Sequence, residues 1–370
     1  MNKAFFSFML LVCTVVNVFA QKQFPVPVEK NSKFGYVNSN GDLVIDTAYI
    51  FADYFEEGLA LVEKNKQKSY LDVNGRVVLG PLYLNSASAF SDGWAKLTDT
   101  LGMRYYINHA GEKMLDVPLD LYDAQNFHNG RAVVSIQEQR QIGKNTVTMY
   151  KFGYMNKQGT VVVPCQFYDA DNFISGLARV KSGSKYGLID TNGKYVIKPV
   201  FDFIHPFNSN IARVEQGGKI GYVNRNGKVI IKPQYVFGSD FNEGMAAVVL
   251  KEKMGYINEK GKVVIAEQFD YAEAFSEGYA AIMLGEKWGF IDAKGNVFVK
   301  VVLDEARGFS EGMAPIKRQG RWGFMDTSGK VVIPHNYDVV SDFSGGIARV
   351  QYLNKVFYIN KKGNIVPLKK

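Results

Sequence analysis

The sequence predicts an all-β protein: one short motif repeated along the chain and stacked as an open β-solenoid or superhelix. Three observations carry the prediction. A phrase of the form basic–aromatic–Gly–apolar–apolar–Asx returns at a fixed spacing. Each return runs into the same turn signature. The composition supplies strand and turn formers in quantity, with 26 Phe, 21 Tyr and 36 Gly among 370 residues. Aromatic side chains fit pleated, half-buried surfaces, and regularly spaced glycines fit the tight turns between them.

The phrase is clearest at Lys185-Tyr186-Gly187-Leu188-Ile189-Asp190. Its glycine recurs at Gly35, Gly153, Gly187, Gly221, Gly255, Gly289 and Gly323, with every step from Gly153 onward 34 residues long. Ser69, Tyr105 and Phe357 hold the position without glycine. Self-similarity at such a period means a stacked repeat architecture, which is why 370 residues need not be split into ordinary domains.

Three residues after each of these positions stands Asp or Asn, from Asn38 and Asp72 through to Asn360. Three further on stands glycine, from Gly41 and Gly75 through to Gly363. The Asx side chain accepts backbone N–H bonds within the turn, and the glycine takes the left-handed conformation that closes it. A strand follows, as in Lys330-Val331-Val332-Ile333, and Pro164, Pro199, Pro233 and Pro334 end it, since proline cannot donate to a ladder.

Next comes an aromatic-rich segment with one column at Tyr49, Phe167, Phe201, Tyr235, Phe269 and Tyr337. A second runs through Phe55, Phe173, Phe207, Phe241, Phe275, Phe309 and Phe343. An aromatic residue once per repeat reads as the continuous core of stacked units. The unit closes on an alternating strand such as Leu177-Ala178-Arg179-Val180. Each unit is thus expected to be a three-stranded antiparallel meander with an aromatic-rich loop. A further column, Asp202, Asp270, Asp304 and Asp338, reads as caps on the loop backbone rather than a cation ladder.

Two architectures compete. Propeller blades usually hold four strands in roughly 40–50 residues, so 34 residues with three strands favours the open stack. Ten turn hairpins against nine Ala-x-Val strands leave a half-unit excess. An open stack tolerates this, whereas the alternative, a closed β-propeller-like ring, would need the terminal halves to share one blade.

The ends divide the chain further. Residues 1–20 carry one charge, Lys3, an apolar run and Val18-Phe19-Ala20 before Gln21, the pattern of a signal peptide. Residues 21–32 read as a linker, and 33–367 as the repeat domain. After cleavage Cys165 is the remaining cysteine, which excludes an intramolecular disulfide and reads as a small buried hydrophobe. The formal net charge of +8 is spread along the chain, without the concentrated basic face of a nucleic-acid binder. Residues 135–148 interrupt the period with a polar stretch ending in β-branched residues, read as a lengthened hairpin. Arg140, Gln141 and Lys144 near its tip are the candidate partner contacts.

No catalytic pattern accompanies the repeat. His109, His128, His205 and His335 are scattered, and there is no zinc-protease helix motif, nucleophile elbow or phosphate loop. The expectation is a protein without enzymatic activity, cofactor or metal.

At Lys287-Trp288-Gly289-Phe290-Ile291-Asp292 and Arg321-Trp322-Gly323-Phe324-Met325-Asp326 the chain resembles the WG-repeat (KWG) family of bacterial proteins. Tryptophan itself precedes the glycine in these two units, with Phe, Tyr, Ile or Met replacing it elsewhere. The resemblance implies a β-repeat interaction module, often exported, and brings no catalytic residues. The expected function is a non-enzymatic binding or scaffold protein of the cell envelope, periplasmic or secreted, engaging a protein partner, with no nucleic acid and no stable membrane span once the signal is removed. The alternative is a glycan- or cell-wall-binding module that stacks sugar rings on exposed aromatics. Exposure of Trp94, Trp288 and Trp322 discriminates between the two.

Overall fold

The computed structural model describes residues 24–38, 42–249 and 251–366. The expected signal segment, 1–20, lies outside the described residues, as does Gly41 of the turn column. Among the described residues there is no α-helix, and none is long and apolar enough to cross a membrane.

The described residues form ten small antiparallel sheets in sequence order, seven of four strands and three of three. We number them as units 1 to 10: 26–49, 51–82, 84–116, 123–167, 169–201, 203–235, 238–269, 271–303, 305–337 and 339–366. The three-stranded meander is therefore incomplete as an expectation. In unit 5, Asp169–Ala170 forms a fourth strand, paired with Leu177–Ser182 ahead of Lys185–Asp190 and Tyr195–Phe201. Two residues suffice for it, so 34 residues hold a four-stranded blade.

The turns form as their chemistry dictates. Asp190 Oδ1 accepts from the backbone N–H groups of Asn192 and Lys194, at 2.9 and 3.0 Å. Gly193 closes the turn at φ +82°, and the other described members of its column have φ between +76° and +85°. The phrase glycine has a different cause. A bulge brings the fourth strand onto it, and a Cβ at Gly187, Gly221, Gly289 or Gly323 would stand no more than 2.7 Å from a carbonyl oxygen of that strand. Where Ser69 replaces it, Gly80 on the facing strand supplies the room instead.

Neighbouring sheets pack face to face. The third-strand tyrosine of one unit meets the loop phenylalanine of the next: Tyr154 with Phe173, Tyr222 with Phe241, and Tyr256 with Phe275, at 4.7–4.8 Å between ring centres. Its hydroxyl donates to a main-chain carbonyl of that same loop, as Tyr154 does to Asp171 and Tyr256 to Glu273, both at 2.7 Å. Burial pushes these tyrosine hydroxyls well above their ordinary pKa, so they remain donors. The aromatic columns are thus the core between sheets.

The open solenoid is not what forms. Residues 26–30, expected as linker, are a strand paired with Lys33–Val37, and they supply the missing second strand of unit 1, the counterpart of Leu177–Ser182 in unit 5. The half-unit excess disappears. This strand then packs on unit 10: Val28 and Val37 share a cluster with Ile347 and Val366, and the Glu29 backbone N–H donates to the Tyr358 hydroxyl at 3.3 Å. First and last units touch, so the ten sheets close into a ring, the propeller-like alternative. No blade is shared between the ends; closure comes from side-chain packing. Gly345 assists, since a Cβ there would lie 2.8 Å from the Val26 side chain.

Candidate functional site

The ring has two ends. One carries the loops between first and second strands and the Asx turns. The other carries the hairpin tips between second and third strands, and a single tip departs from the rest. In unit 4, Arg131–Ile142 pairs with Asn145–Asn156 without interruption, from Arg131↔Asn156 to Ile142↔Asn145. The corresponding pair in unit 5 ends after Leu177–Ser182 and Lys185–Asp190. Six additional pairs carry the hairpin roughly 20 Å beyond its neighbours, at the usual rise per strand residue.

Gln137–Gln141 and Lys144–Thr148 are exposed. Arg140, Gln141 and Lys144 all lie at the tip, but the pleat separates the first two. Arg140 faces with Glu138 and its cross-strand partner Val147. Gln141 faces with Gln137 and Gln139, opposite Thr146, Tyr150 and Thr148. One face is therefore charged and apolar, the other a field of amides and hydroxyls. Both outer edges present unpaired backbone groups. At the base Tyr122 braces Tyr150, 4.8 Å between ring centres.

The repeat-signature residues are structural. Trp322 is buried beneath the Arg307 and Lys317 cations, 4.9 and 5.4 Å from its ring. Trp288 is half-buried against Tyr271 at 5.5 Å, and Trp94 against Phe127 at 5.1 Å with Lys157 over its ring. Of the three, Trp322 alone is buried, and the other two are partly covered by these contacts. The column Asp202, Asp270, Asp304 and Asp338 forms clamps between units. Asp304 accepts from Lys287 of the preceding unit at 2.7 Å and from the backbone N–H of Gly320 in its own hairpin tip at 3.1 Å. Asp202 does the same with Lys185 and Gly217. Those hydrogen bonds hold both carboxyls below the ordinary carboxylate pKa.

The histidines do not converge. His205 Nε2 lies 2.7 Å from Glu215 Oε1, while Nδ1 accepts from Arg213 at 3.1 Å, so both ring nitrogens are occupied. His109 stacks on Phe90 at 4.3 Å. Burial lowers the His335 pKa and raises that of the Cys165 thiol, which leaves both in their neutral forms. Among the described residues no three His, Cys, Asp or Glu side chains are placed to hold a metal ion.

Sequence comparison decides the family. The model for the WG containing repeat matches residues 34–67, 152–186, 186–219, 220–253, 254–288, 288–322 and 322–355. The chain belongs to the WG-repeat family. The internal unmatched stretch, 68–151, covers the divergent units and the long hairpin through Lys151 of its second arm. No curated protein matches this WG-repeat chain. Among solved structures it is similar to the extracellular domain of a hybrid two-component system from B. thetaiotaomicron, with 10% identity over 88% of this chain and a TM-score of 0.29. The chain spans 58% of that structure's length. It is also similar to BamB from Moraxella catarrhalis, with 9% identity over 82% of this chain and 94% of BamB, TM-score 0.30. Both likenesses are too distant to carry an argument about function.

Proposed function

We propose that this WG-repeat ring is an exported, non-enzymatic binding scaffold of the bacterial cell envelope, and that the unit 4 hairpin is the element that engages a protein partner. The observation that carries the reading is the hairpin itself, a fully registered ladder standing roughly 20 Å clear of the ring, braced at its base by the Tyr122–Tyr150 contact. A lone two-stranded ribbon is marginal in water, and its free edges are the template onto which an extended segment adds as a further strand. The amide and hydroxyl face of Gln137, Gln139, Gln141, Thr146 and Thr148 suits such a partner, and Arg140 and Lys144 add charge at the tip. Export is supported by the sequence pattern of residues 1–20. The burial of Trp322 and the partial cover of Trp94 and Trp288 disfavour sugar stacking on these rings.

The test replaces 139–148 with a two-residue Asn-Gly turn, which joins Glu138 and Met149 in their existing register. Melting temperature is expected to stay within a degree or two, because surface-loop changes that remove no core cost little. Capture of a specific protein from envelope extract should be lost, and a double variant of Gln139 and Gln141 to Pro, which blocks strand addition, should lose it as well. Unchanged capture by the shortened protein overturns the proposal.

A further inference from the structure

The ring carries a second candidate site at its opposite end, in the seam between units 5 and 6. Three columns that join neighbouring units all break there. The third-strand aromatic, Tyr or Phe in every other unit, is Leu188. The residue after the loop phenylalanine donates across other seams, as Asn242 does to the Phe275 carbonyl, Ser276 to Phe309 and Ser310 to Phe343, at 2.7–2.8 Å. In unit 5 it is Ile174, which has no donor to offer the Phe207 carbonyl and is 65% exposed. The following acidic or amide residue accepts from the next unit's glycine N–H at Glu57, Asp92, Asn129, Glu243, Glu277 and Glu311. Here Ser175 faces Asn210 instead of that pair.

The consequence is a cleft of about 90 Å³. Leu177, Leu188 and Ile204 are part of its apolar lining, and Asn172, Phe207 and Arg225 are among its other walls. Arg225 is held in place, stacked over Phe207 at 4.7 Å with Nε donating to the Ser209 carbonyl at 2.9 Å. Its Nη1 is buried with no partner in the protein, and so is Asn172 Oδ1. Buried polar groups are ordinarily paired. A third lining group, Arg179 Nε, is ion-paired with the Asp171 carboxylate at 2.9 Å. The cleft therefore presents one uncompensated donor and one unmatched acceptor beside a small apolar surface, in a volume well below that of sites enclosing whole drug-sized ligands.

We infer that this cleft binds the acetamido group of an N-acetylated amino sugar. Its carbonyl accepts from Arg225 Nη1, its N–H donates to Asn172 Oδ1, and its methyl packs on Leu188 and Ile204. A terminal acetamido group satisfies both orphans at once and ends within the cleft. A peptide bond offers the same two groups, but its chain must continue in both directions, and the cleft provides one amide's worth of partners.

The experiment titrates the full chain with N,N′-diacetylchitobiose, with chitobiose lacking the acetyl groups, and with an alanine tripeptide amide that has a free amino terminus and so offers only chain-continuing amides, followed by calorimetry and saturation-transfer NMR. The acetylated sugar should bind, with its methyl protons the most strongly saturated, and the amine form should bind at least tenfold more weakly. Asn172→Ala should weaken binding about tenfold, the worth of one hydrogen bond. Leu188→Phe restores the side chain that units 8 and 9 carry and fills the cleft, so it should abolish binding while the melting temperature holds or rises. Equal binding of the two sugars, preference for the peptide, absence of binding at tens of millimolar, or full binding by folded Leu188→Phe would each overturn the inference.

Discussion

Two seams of the ring differ in one end only. Between units 8 and 9, Lys287, Asp304 and Gly320 form the clamp at the hairpin-tip end. At the loop end Phe290 meets Phe309 at 5.4 Å, Ser276 Oγ donates to the Phe309 carbonyl, and Glu277 accepts from the Gly312 N–H. Between units 5 and 6 the clamp is intact, formed by Lys185, Asp202 and Gly217. The loop-end contacts are absent, and Phe207 is only half-buried, against 3% exposure for Phe309. The clamp, with Arg179 Nη1 donating across the seam to the Ile204 carbonyl at 2.8 Å, therefore holds two sheets in register without sealing the space between them. Sealing needs the aromatic pair and the side-chain donors.

The largest expected effect comes from removing that pair. Phe309→Ala should cost about 3–5 kcal/mol, the usual range for emptying a buried aromatic site. Phe207→Ala should cost about 1 kcal/mol, because little apolar area leaves water there. Denaturant midpoints measured side by side check this, and equal losses would mean that the seams are energetically alike.

A substitution at a turn supplies the scale for a defect unrelated to either seam. Gly193→Val should cost more than about 1 kcal/mol, since a β-branched residue is strained at φ +82°. Its added carbon would also press on the Val163 side chain, 3.0 Å away. Gly329→Val, at φ +83° in unit 9, should match it within experimental error.

Installing what unit 5 lacks should be milder. Leu188→Tyr gives the seam an aromatic ring and a hydroxyl for the His205 carbonyl, and should stabilise by about 1 kcal/mol. Slower hydrogen exchange in 205–210 would accompany it. A destabilised variant would show that the cleft is already packed to its limit.

The smallest effect concerns acid. Lys185 and Lys287 hold Asp202 and Asp304 below the ordinary 3.8. A carboxylate depressed in the folded state stabilises fully above its unfolded value, and that contribution disappears as pH falls through the folded one. Both clamps should therefore loosen only below pH 3.8. Without the aromatic pair and the Ser and Glu bonds behind its clamp, the unit 5–6 seam should open first. Hydrogen exchange across an acid series checks the order, and simultaneous opening would deny those contacts any role.

Much of this fold is local and could be read from the chain. An Asx-x-x-Gly turn is decided within a handful of residues, because the side chain bonds its own backbone and the glycine takes an angle that other residues resist. The aromatic columns were legible as core for a similar reason: a once-per-unit residue has the same neighbours in every unit. The projecting hairpin was legible as a break in the period, with Arg140, Gln141 and Lys144 at its tip. That Arg140 and Gln141 point to opposite faces followed only from the register.

The seam defects stood in the sequence as well, at Leu188, Ile174, Ser175 and Asn210, but as four unrelated departures. Only packing brings them into one cleft with Asn172 and Arg225. The same limit explains the two misreadings. A two-residue strand such as Asp169–Ala170 is too short to show alternation, and Val26–Lys30 carries no repeat phrase of its own. Sequence by itself determined the unit, its turns and its all-β character, since these rest on contacts within about one period. Ring closure was decided by tertiary structure alone: Val28 meets Ile347 more than three hundred residues away. The curvature that brings them together is the sum of ten small rotations between sheets, and no local pattern encodes that sum.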